Sequence, residues 1–161
     1  METKRQIKIL LRESYLRFIE NSVGSKSWRN FYALIGGKKK DVLKNGELSC
    51  AFFVSSVLAI FGLIENRHMT VKSTIKDMEE NGWYEILKPK RGAVLLWEAI
   101  KFPSGSINKH VGFYLNGNKA VSNRWEKKSP MVHHFTYGVK KDGSPKRKIE
   151  KIFWHQKLGK S

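Results

Sequence analysis

The hydrophobic pattern of the first 47 residues is helical at the start and irregular afterwards. Apolar side chains recur at helical spacing over residues 3–20, with lysine and arginine between them, which predicts an amphipathic helix. A turn follows, and a short second helix is predicted over residues 28–34, with Gly36 and Gly37 to end it. Residues 38–47 have the composition of a loop. The N-terminal part of the chain is therefore predicted to be helical.

The next segment is apolar on nearly every side. Residues 50–61 read CAFFVSSVLAIF, which is typical of a helix buried at the centre of a domain, and Ser49 is a suitable N-cap. A further helix is predicted over residues 70–81, with Thr70 as its cap and a glycine just after it.

The second half of the chain has the pattern of an antiparallel sheet. Short apolar or alternating runs bounded by turn residues predict six strands, and Asn116-Gly117 is a strong hairpin signal between two of them. The predicted strands cover residues 83–87, 93–97, 110–115, 119–122, 132–137 and 148–154. The order predicts an α+β fold, in which N-terminal helices and a buried central helix pack on an antiparallel sheet of about five or six strands.

The length and composition fit one domain. The chain has 161 residues, of which 40% are apolar and 12% aromatic, so one folded domain is expected over residues 1–161. A single cysteine excludes a disulfide within the chain. No apolar run is long enough to cross a bilayer, and the charged N-terminus lacks the features of a secretory signal. We therefore expect a protein made in the cytoplasm, whose release to a cell wall would need a non-classical or phage route.

Charge is the unusual property of the composition. The chain has 31 basic and 14 acidic residues, a formal net charge of +17. Residues 1–46 carry a net charge of +7, residues 47–138 only +4 and residues 139–161 +6. Basic runs at residues 38–40 and 146–148 follow turn residues and are predicted to lie in solvated loops or at strand edges. One interpretation is solubility and edge protection. The other is docking onto nucleic acid, anionic lipid or an anionic wall polymer.

Cys50 is the first candidate for chemistry. It is predicted to be the first residue of the buried helix, where free backbone amides and the helix dipole favour a thiolate and can hold an oxyanion. The same position suits an inert cysteine, because free cysteine is among the most buried residue types. Position alone leaves both interpretations open.

A histidine and an asparagine could complete a nucleophilic site. His110 opens a predicted strand after a polar loop, where it could serve as general base for a thiol. Asn123 ends the strand after the hairpin, near the start of the His110 strand, where an amide could orient the imidazole. Ser122 would point to the other face. The plainer interpretations are an exposed strand-end histidine and a turn asparagine.

Metal and nucleotide sites are not predicted. His133 and His134 are adjacent and would point to opposite faces of a strand, and His68 and His155 form no zinc spacing with the one cysteine. Neither glycine-rich phosphate pattern is present. The sequence therefore predicts no cofactor.

Three segments in order resemble a known family. SCAFFVSSVLAIFGLI, KPKRGAVLLWE and NKHVGFYLNGNKAVSN are similar to the nucleophile helix, the turn into an apolar strand and the histidine hairpin of the CHAP superfamily. These papain-like cysteine, histidine-dependent amidohydrolases and peptidases include NlpC-type cell-wall peptidases. The resemblance covers about residues 47–125 and departs from the family pattern at Ala93, where aspartate is usual, and at Lys109, where glycine is usual. It implies a papain-like core over residues 47–138 between two basic flanks.

The resemblance implies a cysteine amidase or endopeptidase, with a peptide or peptidoglycan as substrate. Cys50 would attack an amide carbonyl, His110 would move the proton, and Asn123 would hold the imidazole. Ser122 would take the place of Asn123 if the hairpin register differs. No cofactor is implied.

Three further residues are candidates for the oxyanion site or the cleft: Tyr32, Ser49 and Trp97. In related peptidases a tyrosine upstream of the cysteine can donate to the oxyanion, and Tyr32 is the tyrosine just before Cys50; its plainer interpretation is a helix aromatic packed in the core. Ser49 adjoins the cysteine. Trp97 ends the strand before the histidine loop, where a core position is the favoured interpretation.

Two other functions fit the same sequence. A basic protein that binds nucleic acid or another anionic polymer would use the charged flanks and nearby aromatic side chains, with Cys50 only structural. Those aromatics also alternate as core residues of a sheet would: Phe135, Tyr137, Phe153 and Trp154. An inactive scaffold would show no activity and an ordinary thiol. The resemblance favours the enzyme.

Overall fold

A computed structural model describes residues 5–160 of the chain. The helices are α1 (Leu11–Asn21), α2 (Cys50–Ile60) and α3 (Val71–Glu80). The strands are β1 (Tyr32–Ile35), β2 (Lys38–Asp41), β3 (Trp83–Glu85), β4 (Val94–Lys101), β5 (Ile107–Asn116), β6 (Lys119–Arg124), β7 (Ser129–His134) and β8 (Ile149–His155), and a 3₁₀ turn covers Gln156–Gly159. None of the helices in this part of the chain is both long and apolar enough to span a bilayer.

Strands β3 to β8 form one antiparallel sheet in the order β3-β8-β4-β5-β6-β7. Strands β1 and β2 pair only with each other, as a separate hairpin. The α+β class and the antiparallel sheet are confirmed, and each of the six predicted strands corresponds to one strand of the large sheet. A hairpin joins β5 to β6 as predicted, but Asn116 ends β5 and pairs with Lys119, so the two turn residues are Gly117 and Asn118.

The helices cover one face of the large sheet. Helix α2 lies at the centre, and its residues 51–58 are all buried, which explains why its sequence is apolar on every side. Phe53 of α2 meets Phe113 of β5 edge to face, with ring centroids 5.5 Å apart. Tyr15 of α1 is fully buried and donates its hydroxyl to the Gly92 carbonyl at 2.8 Å. These contacts pack α2 on β5 and join α1 to the loop before β4.

The connection between β7 and β8 covers the other face. Strand β7 is at one edge and β8 lies beyond β4, so residues 135–148 have to cross β6, β5 and β4. The crossing segment, as we call residues 135–148, packs its aromatic side chains on a second, smaller cluster of buried residues: Leu95, Trp97 and Ala120. A bridge between Val139 and Pro145 folds the segment back on itself.

The N-terminal predictions were partly wrong. Helix α1 begins at Leu11, residues 5–10 are not helical, and residues 3 and 4 of the predicted helix lie outside the described residues. No helix forms at the predicted 28–34: residues 28–31 are irregular, and residues 32–34 together with the start of the predicted loop at 38–47 belong to the β1–β2 hairpin. Its turn is Gly36-Gly37, with φ of +57° and +73°, the positive values that a tight hairpin turn of type I′ requires at both positions. Two adjacent glycines therefore reverse the chain here rather than end a helix.

Candidate functional site

One large cavity opens beside the first turn of α2. Its volume is about 1410 Å³, and it lies between α2, α3, the β4–β5 connection and the end of the crossing segment. Cys50, His110, Asn123, Tyr137 and Arg147 line it, so the three residues predicted to carry catalysis share one cavity.

Cys50 is the first residue of α2, as predicted. The side chain of Ser49 before it is fully buried but makes no capping hydrogen bond, and its Oγ has no partner among the described residues. The partly buried thiol of Cys50 faces the backbone N–H groups of Val111, Ala51 and Cys50 itself. Burial raises the pKa of Cys50 above its ordinary value, although these amides and the charge of Arg147 act to lower it. The thiol is therefore neutral at neutral pH.

The Val111 amide reaches the thiol because the β5–β6 ladder stops short of it. The pairing runs from Asn116 opposite Lys119 to Phe113 opposite Val121 and extends no further towards His110. Beyond that point Val111 has no partner on β6 in the ladder. Its N–H instead acts on the Cys50 thiol as a hydrogen-bond donor. The end of the ladder thus brings the start of α2 next to the residue that follows His110.

His110 lies on β5 opposite Trp97 of β4 and is only 7% exposed. Its ring packs against Trp97, with centroids 5.5 Å apart, and against Tyr137 at 6.3 Å. The Nε2 atom is buried and has no hydrogen-bond partner among the described residues. Burial lowers the pKa of His110 well below its usual value, and the positive charges of Arg147, His133 and Arg124 lower it further. The imidazole is therefore neutral and has an atom free to accept a proton.

Asn123 does not orient this imidazole. Alternation along β6 places Asn123 with Val121 on the helix-covered face, whereas His110 packs on the other face with Trp97. The Asn123 amide donates to the Gly46 carbonyl at 2.8 Å, and its Oδ1 is buried without a partner among the described residues. Asn123 and His110 reach the same cavity from opposite sides of the sheet.

Ser122, the alternative, lies on the same face as His110 but is bonded elsewhere. Its Oγ is 2.7 Å from His133 Nε2 and 3.0 Å from the Tyr137 hydroxyl. The rings of His133 and Tyr137 stack with centroids 4.2 Å apart. Burial is the main cause that lowers the pKa of His133 to about 4. Sequence reasoning missed both as site residues: His133 reaches Ser122 because β7 pairs with β6, and Tyr137 reaches it because the crossing segment lies over the sheet.

Arg147 was predicted to be solvated within a basic run, and this was wrong. It is 6% exposed, and its guanidinium donates to the Glu98 carbonyl from Nε at 3.1 Å and from Nη2 at 3.0 Å. Nη2 also donates to the Asn108 carbonyl at 3.3 Å, and the guanidinium lies 5.5 Å from the Tyr137 ring centroid. A bulge in β4 between Trp97 and Ile100 coincides with the accepting Glu98 carbonyl. Alternation into strand β8 exposes the lysines on either side and buries Arg147 between them.

The remaining candidates have other roles. Tyr32 is on β1 rather than on a helix, is 57% exposed and does not line the cavity; the ammonium of Lys39 lies 4.6 Å from its ring centroid. Trp97 is fully buried and donates its Nε1–H to the Phe135 carbonyl at 2.7 Å. It is therefore a core residue that packs against His110.

Within residues 5–160, no three histidine, cysteine, aspartate or glutamate side chains cluster so as to hold a metal ion. The sequence matches no protein-family model and no curated protein. The arrangement at the cavity therefore has to be interpreted from its own chemistry.

Proposed function

We propose that this protein is a papain-like cysteine hydrolase of amide bonds, with Cys50 as nucleophile and His110 as general base. One observation carries the proposal: a thiol at a helix start and a buried imidazole with an unpartnered nitrogen line the same cavity. Buried polar atoms without partners are rare in folded proteins and need an explanation. Such an atom on His110 is explained if its partner is a proton that it accepts only during the reaction.

The directions of the two pKa shifts define the resting state. The pKa of the thiol is raised and that of the imidazole is lowered, so the pair rests as neutral thiol and neutral imidazole. Proton transfer therefore accompanies attack, which is general-base catalysis rather than a preformed ion pair. Such a site would not show the reactive thiolate at mildly acidic pH that the helix position alone predicts.

The reaction proceeds in two steps. Cys50 Sγ forms a bond to the amide carbonyl carbon while His110 takes the thiol proton. The tetrahedral intermediate then breaks its C–N bond, and His110 returns the proton to the leaving amine, which leaves a thioester on Cys50. Water next attacks the thioester carbonyl as His110 takes its proton, and that proton returns to the sulfur when the C–S bond breaks.

Backbone and aromatic groups provide the supporting roles. The N–H groups at the first turn of α2 point towards the thiol and are the donors available for the oxyanion. The rings of Trp97 and Tyr137 hold the imidazole by packing. They take the place of the hydrogen bond from the Asn123 side chain that the resemblance implies. A nucleophile at the start of a central helix, packed on an antiparallel sheet whose neighbouring strand carries the histidine, supports a papain-like relationship.

The test is hydrolysis with trapping of the acyl-enzyme. Wild type, Cys50→Ala, Cys50→Ser and His110→Gln are incubated with peptidoglycan fragments and a panel of peptide amides. New amino groups are measured, and the intact protein is weighed for an acyl adduct. We expect release and an adduct in wild type, and a loss of about a hundred-fold or more in His110→Gln. Equal release by wild type and Cys50→Ala, or no release on any substrate, would overturn the proposal.

An anionic-polymer-binding protein is the second candidate, and the three exposed lysines of β2 favour it. Two of the aromatic side chains that would stack on bases argue against it, because Phe153 is only 1% and Trp154 only 4% exposed. Salt-sensitive retention on single-stranded DNA that survives Cys50→Ala, in a protein that hydrolyses no amide, would favour this candidate over the enzyme.

A further inference from the structure

Arg147 is a buried cation without a carboxylate partner. Among residues 5–160, its hydrogen bonds are to the Glu98 and Asn108 carbonyls and to the Tyr137 side chain, and no carboxylate forms an ion pair with it. Carbonyl dipoles do not neutralise a full charge, and an uncompensated buried charge is costly. Burial accordingly lowers the pKa of Arg147 from its ordinary value. The guanidinium nevertheless lines the same cavity as Cys50.

The surroundings of Arg147 do not supply the missing charge. The Glu98 carboxylate, which is close enough to act on Arg147, accepts the backbone N–H of Lys148 at 2.8 Å, and Glu126 pairs with Arg124 at 3.2 Å. Basic side chains outnumber acidic ones around the cavity: Lys72, Lys76, Lys109, Arg124, Lys146 and Arg147 against Glu47, Glu79 and Glu126. Two of these lysines pair with glutamates outside the lining, Lys76 with Glu80 and Lys109 with Glu150, so the unpaired positive charge that is buried at the cavity is that of Arg147.

We propose that this cavity binds its acyl substrate through an anionic oxygen group, a carboxylate or a phosphate, held by Arg147 beside the Cys50 thiol. That the bound molecule is an acyl substrate rests on the proposed function, whereas the anion site rests on the burial and charge of Arg147 alone. The apolar part of the wall, which includes Leu96, Ile100 and Phe102, would receive the uncharged part of the same molecule. An acid-bearing amide is then preferred over its neutral analogue.

Two alkylating reagents test the anion site without any hydrolysis. Iodoacetate and iodoacetamide form the same S–C bond to Cys50 and release the same iodide, but only iodoacetate carries a charge. The rate ratio of iodoacetate to iodoacetamide is measured at fixed pH and ionic strength for wild type, Arg147→Gln, Arg147→Lys and Lys38→Gln. Lys38 is exposed on β2 and outside the cavity, so its variant makes the same change of charge elsewhere.

We expect the wild-type ratio to exceed that of free N-acetylcysteine by about ten-fold, to fall by about as much in Arg147→Gln and to stay unchanged in Lys38→Gln. Arg147→Lys should keep part of the preference, because it keeps the charge and loses the guanidinium fork. A merely structural Arg147 would change both rates alike and leave the ratio constant, and that result overturns the proposal.

A second measurement decides the matter if Arg147→Gln does not fold, as judged by circular dichroism. Sodium succinate, or sodium phosphate as the second anion, is titrated into wild-type protein against sodium chloride of equal ionic strength. Saturable slowing of iodoacetamide alkylation by either anion supports the site, and the more effective one identifies the preferred oxygen group. No saturation by either overturns it. An anion site without hydrolysis would leave this inference standing and the proposed function refuted.

Discussion

Gly112 is the position where one added methyl group tests the packing beneath the site most directly. A Cβ at residue 112 would lie 2.6 Å from Ser122 Cβ, 2.6 Å from the Val121 carbonyl oxygen and 3.0 Å from Trp97 Cη2. Its φ is not in the left-handed region, so alanine meets no backbone strain and the whole effect is steric. Two of the three obstacles belong to the neighbouring strand β6, which cannot turn aside as a flexible side chain does.

The expected cost of Gly112→Ala follows from these contacts. Overpacking a well-filled site costs about 1–3 kcal/mol, and contact with a backbone carbonyl places this site at the upper end of that range. Replacing glycine by alanine returns roughly 0.4–1 kcal/mol, because the unfolded chain has fewer states. We therefore expect a net loss of about 2 kcal/mol in the free energy of unfolding. For a domain of this size that is a fall in Tm of about 4–8 °C.

Urea denaturation followed by tryptophan fluorescence measures this difference. Gly159→Ala is the matched control, since a Cβ there meets no atom within 4 Å, and its free energy of unfolding should stay within about 0.5 kcal/mol of wild type. Because Trp97 packs on His110, Gly112→Ala should also slow hydrolysis at temperatures where the variant is fully folded. An unfolding free energy equal to or above that of wild type would refute the close approach of β5, β6 and Trp97.

Three further predictions concern ionisable groups. The raised pKa of Cys50 predicts that its alkylation by iodoacetamide rises with pH only above the range of an ordinary thiol, about 8.5, with no plateau in acid; a plateau below pH 7 would contradict the neutral pair. The pKa of His133 is lowered to about 4, so its contribution to stability is fully present above pH 6.5 and is lost as the pH falls through 4. His133→Gln should therefore lose about 3 kcal/mol less stability than wild type between those pH values in acid titration, and an identical loss would refute this. The Asp77 carboxylate accepts the backbone N–H groups of Glu65 and Asn66, so Asp77→Ala should cost about 3 kcal/mol in urea denaturation. The exposed control Glu80→Ala should cost under about 0.5 kcal/mol, and equal costs for the two variants would argue against the Asp77 network.

Local sequence was sufficient to predict the elements that local physics determines. Helix α2 coincides with a mostly apolar run that begins at Cys50, and the β5–β6 hairpin turns at Gly117-Asn118, where Gly117 has a φ of +53°. The same reasoning failed at Gly36-Gly37, where two glycines could end a helix or reverse a strand. The structure has the strand reversal, with β1 paired to β2, and the two glycines alone do not distinguish it from a helix end.

The second face of the site was beyond local reasoning. Tyr137 and Arg147 reach the site because β8 inserts between β3 and β4, which forces the crossing segment over three strands, whereas His133 reaches it on β7. Nothing in the spacing of residues 132–148 specifies that strand order. The placement of Asn123 failed for a simpler reason: its face depends on register, and one residue of register exchanges Asn123 for Ser122.

The positive charge around the site leads to one further prediction, which depends on the anion site. The charge of Arg147 favours the Cys50 thiolate but disfavours the His110 imidazolium, so it helps one partner of the proton transfer and hinders the other. An anion bound to Arg147 would remove the hindrance and raise the pKa of His110, which makes the imidazole a stronger base when substrate is present. Titration of the His110 ring proton by NMR, with and without saturating succinate, measures this shift. We expect succinate to raise the pKa of His110 in wild type and to leave it unchanged in Arg147→Gln, which lacks the charge that the anion would neutralise; a pKa that stays constant or falls in wild type would show that the anion does not act on the base.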